Sequence, residues 1–139
     1  MEIIIEVNSL PPVEFSPNAR VHWAKRYKAG KQYKQEVYYN ALQAITSLSK
    51  KESSLLPLPY AEMSLLFVVG EERIRDENNW VARFKPGQDA LIFAGIIAFD
   101  DMKHLKCKSI SFEVNRGKAP KTIIKIKEVS NDKARTSKA

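Results

Sequence analysis

The sequence predicts an α+β fold: a mixed sheet of about four strands with two main helices packed on it, in the order β-α-β-α-β-β and in a single domain. Three observations predict it. The chain opens on a β-branched run, Glu2-Ile3-Ile4-Ile5-Glu6-Val7, which reads as a strand. The run AEMSLLFVV at 61–69 is apolar enough for the centre of a sheet. Between them Val37, Ala41, Ala44, Ile45 and Leu48 recur at three- and four-residue spacing, the stripe of a helix buried along one side.

Residues 10–18 hold Pro11, Pro12 and Pro17, which cannot donate to a ladder or sit inside a helix, so this stretch is a loop. A long helix is expected over about 20–47, with Asn18 as its N-cap and Gly30 as a weak point. Its first half mixes Trp23, Tyr27 and Tyr33 with basic residues. Such aromatics either stack on nucleic-acid bases or pack the helix onto the sheet, and the pattern alone leaves both open. Residues 49–59 form a polar, proline-rich connection, and 70–75 turn the chain after the second strand. A second helix is expected to be capped by Asn78 or Asn79, to break near Pro86 and to end at Gly95. Trp80, Phe84, Ala90, Leu91 and Ala94 form its expected buried face. Two last strands, 105–115 and 121–129, are expected to pair as a hairpin around Arg116-Gly117.

With 139 residues and 15.8 kDa the chain has room for one sizeable core. Residues 1–129 make up that domain and 130–139, with almost nothing to bury, a flexible basic tail. No apolar run reaches the roughly 20 residues that cross a bilayer, and the N-terminus lacks the pattern of a secretory signal. A lone Cys107 has no internal disulfide partner and no zinc-spaced neighbours, so a cytoplasmic protein is expected.

The charge is uneven. Lys and Arg total 23 against 16 Asp and Glu, a net charge of +7. Six basic residues lie over 20–34 with no acidic one: Arg20, Lys25, Arg26, Lys28, Lys31 and Lys34. Another eight lie over 103–127 against Glu113 alone. Such patches suit a phosphate backbone, although a solvated basic surface reads the same way.

Set within this basic chain are two acidic clusters, Asp76-Glu77-Asn78-Asn79 and Asp100-Asp101. Unit charges about 4 Å apart repel by roughly 4 kcal/mol at an effective dielectric near 20, so adjacent carboxylates call for a positive partner. Mg²⁺ is the usual one where phosphate is the substrate, being held by one or two carboxylates plus substrate oxygens. The plainer readings are that Asp76 and Asn78 build a turn and a helix cap and that Asp100-Asp101 is an exposed turn. A helix over 79–94 would be about 24 Å long. Six extended residues over 95–100 cover roughly 20 Å, so the clusters are allowed to meet without being compelled to. His22 and His104 have no partners at ligand spacing and read as surface or packing residues, and Asp89 calls for a structural partner.

Taken in order, Ser16-Pro17-Asn18-Ala19-Arg20 before a Trp-containing basic helix, Arg75-Asp76-x-Asn78-Asn79, Lys85-Pro86, Asp89-Ala90-Leu91, Ala94-Gly95-Ile96-Ile97 and Asp100-Asp101 resemble the RusA family of Holliday junction resolvases. The resemblance runs from Ser16 to the last strand. It implies a homodimeric, Mg²⁺-dependent endodeoxyribonuclease, Mn²⁺ being a substitute, that cuts branched DNA at a four-way junction. It calls for no membrane and no small-molecule cofactor. Carried over residue by residue, it makes Asp76, Asp101 and Lys85 catalytic and gives the metal Asp76, Asn78, Asp100 and Asp101. The DNA backbone falls to Arg20, Lys25, Arg26, Lys28, Lys31, Arg73 and Arg75. The sequence departs from the family at Asn78, where the motif has an aspartate. An amide oxygen can still face a hard cation, but it brings no charge and cannot serve as a base. A junction-binding protein of the same fold that no longer cuts is therefore the alternative, and an RNA-binding or assembly role a third.

Overall fold

A computed structural model of the chain describes residues 1–73 and 75–130. The tail expected over 130–139 lies outside them save for its first residue. The fold is α+β. Four strands, β1 (Glu2–Val7), β2 (Ala61–Val69), β3 (Leu105–Val114) and β4 (Lys121–Glu128), form one mixed sheet. Helices α1 (Trp23–Thr46), α2 (Lys50–Ser53), α3 (Glu77–Arg83) and α4 (Lys85–Phe93) complete the described elements, with a short 3-10 turn at Val13–Phe15.

The sheet order is β1-β4-β2-β3. Strand β4 runs antiparallel to both of its neighbours, and β3 runs parallel to β2. The expected hairpin of the last two strands is therefore wrong, because β2 lies between them. Residues 115–120 cross the end of β2, where the Asn115 amide donates to the Val69 carbonyl at 2.8 Å. Apolarity explains the insertion: Ala61, Met63, Leu65, Phe67, Val68 and Val69 are all buried, so β2 is central and β3 is left at an edge. Lys106 and Lys108 on that exposed strand discourage pairing with another chain.

Register builds the core in rows. Ile3, Ile126 and Met63 share one row, Ile5, Ile124 and Leu65 the next, and Val7, Thr122 and Phe67 the third. The helices cover this face; Tyr33, Val37 and Ala41 of α1 and Ala90 and Leu91 of α4 are buried against it. On the opposite face cross-strand ion pairs, Lys125–Glu2 and Lys121–Glu6, meet the solvent.

Thr122 is the one buried polar residue among those described. Its hydroxyl accepts from Tyr33 Oη at 2.9 Å and donates to the Ser9 carbonyl at 2.7 Å, tying α1 and the loop after β1 to the sheet. Burial pushes the Tyr33 phenol well above its ordinary range. Thr122→Val keeps the shape but leaves the buried Tyr33 hydroxyl and the part-buried Ser9 carbonyl unpaired, and is expected to destabilise the fold by about 1–3 kcal/mol. Urea denaturation measures the loss, and Tyr33→Phe should cost less.

Helix starts depart from expectation in two places. Asn18 does not cap α1: residues 16–19 close a turn, Ala19 N donating to Ser16 O at 3.0 Å, and the helix begins only after His22, whose Nδ1 accepts from Ala24 N. Asp76, not Asn78 or Asn79, caps α3, its extended backbone letting Oδ1 accept from Asn78 N at 2.9 Å. A carboxylate there also favours the positive helix end. The connection over 49–59 holds α2, closed by a reciprocal Ser49–Glu52 capping box. The break expected near Pro86 separates α3 from α4 at Phe84, with Pro86 in the first turn of α4. Gly87 lets α4 approach α1: a Cβ there would lie 2.7 Å from the Phe84 ring and 3.0 Å from that of Tyr33. Gly95, at φ 79°, ends α4 in the left-handed region. Among the described residues no helix is long and apolar enough to cross a membrane.

Candidate functional site

After Gly95 the chain turns back along α4. Ile96 and Ile97 are fully buried, and the segment is fixed by a bridge to Leu58, whose amide donates to Ile96 O at 2.8 Å and whose carbonyl accepts from Ala98 N at 3.0 Å. This return brings Asp100 to the start of α4. Its Oδ2 lies 2.7 Å from Lys85 Nζ, and Gln88 Nε2 donates to its carbonyl at 3.4 Å. Lys85 Nζ also lies 3.0 Å from Asp89, one helical turn on. Asp89 thus has the partner its position calls for, and one ammonium holds two carboxylates.

Each partner shifts the other. The Asp100 hydrogen bond, followed by that of Asp89, raises Lys85 above its ordinary value, and Lys85 holds Asp100 below the usual carboxylate range. A carboxylate with a lowered value stabilises the fold above its unfolded value of about 3.9 and loses that contribution as pH falls through the folded value. The raised lysine contributes below about 10.4 and loses that as pH rises through its folded value. The pair is therefore intact across neutral pH. With half of the Lys85 side chain exposed it is worth at most about 1 kcal/mol. Asp100→Asn should cost that much at pH 7, and its unfolding curve should merge with that of the unaltered chain as the pH is lowered through 3 to about 2.

Asp101 points elsewhere. Its Oδ1 accepts from the amides of Lys103 at 2.9 Å and His104 at 3.1 Å, and the carboxylate meets His104 Nδ1 at 2.7 Å. His104 is the largest cause holding Asp101 below its ordinary value, and the two amides add to it. The imidazole is stacked on Tyr60, 5.1 Å between ring centres, and packed against Phe99 at 4.5 Å. His104 thus orients an expected site carboxylate, a role its sequence spacing did not suggest; the only signal was Asp-x-x-His. Asp76 is exposed at the cap of α3 and Asn78 in its first turn.

A cleft of about 410 Å³ lies beside Asp100, and no residue of the acidic cluster over 76–79 lines it. Asp100 and Cys107 line it together with Met63, Gln88 and Lys106. Cys107 is exposed on β3, and partial burial, with a smaller contribution from the charge of Glu77, raises its thiol above the ordinary value. Among the described residues no three His, Cys, Asp or Glu side chains converge as a ready-made metal cage. A Mg²⁺ site completed by substrate phosphate does not need one. Asp76, Asn78 and Asp101 offer oxygens of the hard class such an ion takes, but the hydrogen bonds and ion pairs among the described residues join neither Asp76 nor Asn78 to Asp101.

The basic helix shares a groove with Asp89, the other partner of Lys85. Arg20, Lys25, Lys28 and Lys31 are exposed, as are Trp23 and Tyr27, whereas Tyr33 packs in the core. The packing reading therefore holds for Tyr33, while Trp23 and Tyr27 are left on the surface. Arg26 is partly structural, donating to Glu14 O and lying over the Phe15 ring. A groove of about 480 Å³ between α1 and α4 is lined by Tyr27, Lys31, Lys34, Phe93 and Asp89. It leads from the basic helix to Asp89, and so to Lys85 and Asp100. Arg73 is exposed and Arg75 half-buried ahead of α3, Arg75 donating to the carbonyls of Arg73 and Glu71.

No family model matches the chain. An uncharacterized protein of Xylella fastidiosa (strain Temecula1 / ATCC 700964) is 33% identical to it over 105 residues, which is 75% of this chain and 64% of that protein. The chain thus spans a little under two thirds of the length of the relative it matches.

Proposed function

We propose that the protein is a Mg²⁺-dependent, structure-selective endodeoxyribonuclease that cuts four-way DNA junctions, as its resemblance to the RusA resolvases implies. The observation that carries the reading is the meeting of Lys85 and Asp100 at 2.7 Å, beside a groove bordered by a basic helix. Two stretches that the resemblance ties to catalysis, fifteen residues apart, come together there.

Cutting a phosphodiester needs an activated water, neutralised charge on the phosphate and relief for the leaving oxygen, and bound Mg²⁺ supplies these. Asp76 and Asp101 would hold the ion, Asn78 would add a neutral oxygen, and Mn²⁺ could take its place. His104 keeps the Asp101 carboxylate ionised and oriented. Lys85, fixed between Asp89 and Asp100, offsets charge that builds on the phosphate in the transition state. Lysines of α1 and the arginines before α3 hold the DNA backbone without reading its bases. A junction has two-fold symmetry, so two sites in a homodimer match it.

Asn78 favours one rival, a protein that binds junctions without cutting them. Incubating the protein with a labelled four-way junction and Mg²⁺ separates the two, since cleavage supports the nuclease and tight binding with intact strands supports the rival. Under the nuclease reading Asn78→Asp restores a charged ligand, and both Mg²⁺ affinity and cutting rate are expected to rise by about 10-fold or more. Unchanged values would place Asn78 outside the shell.

A further inference from the structure

Arg73 and Arg75 are expected to hold the DNA backbone, but a third arginine joins them only in the fold. Arg83 ends α3 and lies with its guanidinium 3.9 Å from the Trp80 ring centre. Trp80 packs edge-on against Phe112 at 5.1 Å, and Arg75 lies over the far side of that pair, 5.5 Å from the Phe112 centre. One buried ring, Trp80, and one partly buried ring, Phe112, thus seat two guanidiniums. Backbone carbonyls orient them further: Arg83 donates to Pro11 O at 2.7 Å, and Arg75 to Glu71 O at 2.7 Å and Arg73 O at 3.1 Å.

Carbonyls orient these groups but do not neutralise them. Among the described residues every ion pair within 4.0 Å uses a lysine, the N-terminus or a histidine, and none uses an arginine. The Nε atoms of Arg75 and Arg83 are buried with no hydrogen-bond partner among those residues. Burial first, and then the neighbouring charges of Arg73 and Arg75, hold the Arg83 guanidinium below its ordinary value, with Glu14 acting in the opposite sense. Cations placed together repel, Glu14 offsets part of that at Arg83 without pairing with it, and an anion added between them removes the repulsion. Planar guanidinium forks fit phosphate oxygens two at a time.

We propose that Arg73, Arg75 and Arg83 form a phosphate clamp on the flank of α3, with Trp80 and Phe112 as its rigid base. The phosphate chemistry stands on these residues alone; that the phosphate belongs to a DNA strand rests on the function proposed above. Arg73 and Arg75 precede Asp76 in the chain and Arg83 follows it at the far end of α3, so the clamp brackets the helix that Asp76 caps.

The test is the salt dependence of DNA binding, with a four-way junction and a linear duplex as probes. Each phosphate contact contributes about 0.9 to the slope of log affinity against log salt. Arg83→Met, which keeps an unbranched chain over Trp80, and Arg73→Met, at an exposed position, should each lower the slope by about that amount on both probes. Arg83→Lys keeps the charge and should retain the slope while weakening affinity. A purely structural Arg83 would lower the melting temperature without moving the slope, and the Arg73 variant is free of that ambiguity. In a parallel arm inorganic phosphate is titrated against the thermal midpoint. Stabilisation of the unaltered chain that the Arg73 variant loses, with DNA slopes unchanged, would assign the clamp to free phosphate. Unchanged slopes together with no phosphate stabilisation overturn the proposal. A slope that falls in a chain that never cuts sinks the nuclease and keeps the clamp, and cutting with unchanged slopes and no phosphate effect does the reverse.

Discussion

Asp101→Asn is expected to abolish junction cutting while leaving junction binding intact. The substitution removes one negative charge and keeps the shape of the side chain, so its amide oxygen can still accept from the Lys103 and His104 amides. The turn over 101–104 should therefore survive. Losing one group that stabilises charge in an active site commonly lowers turnover by about 10²–10³-fold, and a loss of that size is expected here. Asp101 is also exposed, so no buried charge is stranded by the change. Cleavage of a labelled junction, read beside a gel-shift titration, gives both quantities. Loss of binding together with cutting would make Asp101 a structural residue of its turn.

The largest effect on stability is expected at Phe84. This ring is 1% exposed and forms the joint between α3 and α4, serving as C-cap of one and N-cap of the other. It meets Tyr33 of α1 edge-on at 6.2 Å and fills the space that Gly87 leaves open. Phe84→Ala removes the ring from the point where three helices and the core meet, and the backbone of two helices resists collapse into the gap. A cost of about 3–5 kcal/mol is expected, which guanidinium denaturation would register as a lower midpoint at unchanged slope. Because Lys85 follows directly, the same variant should loosen the Lys85–Asp100 contact and reduce cutting beyond what lost stability explains.

How far the sequence discloses this fold depends on how local each cause is. Strands β1 and β2 are legible to the residue because β-branched and apolar runs bounded by turn residues leave no other state. The break between α3 and α4 is legible because Pro86 lacks a donor whatever surrounds it. The pairing of the last strands is not. Residues 105–129 read locally as a hairpin, and only the apolarity of β2, which needs cover on both edges, places that strand between them. The cap of α3 shows a similar limit, since Asp76, Asn78 and Asn79 are all good caps and backbone geometry chooses among them.

The site divides in the same way. Lys85 and Asp89 stand one helical turn apart and could be paired from the sequence. Asp100 joins them only because Ile96 and Ile97 are buried against Leu58, a contact with no local signature. His104 gains its role once the turn over 101–104 closes. Arg83 joins Arg73 and Arg75 through two aromatic rings from different elements. Chemistry that depends on spacing along one helix is readable in advance, and chemistry that depends on where a loop returns is not.

Binding of Mn²⁺ followed by backbone amide NMR tests the central claim most directly, because the ion broadens signals only near where it sits. If Asp76 and Asp101 share one cation facing the basic groove, substoichiometric Mn²⁺ should bleach the amides of Asn78 and Lys103 together, in the presence of junction DNA if not before. Bleaching confined to one of the two acidic clusters, or spread evenly over exposed carboxylates, would contradict it.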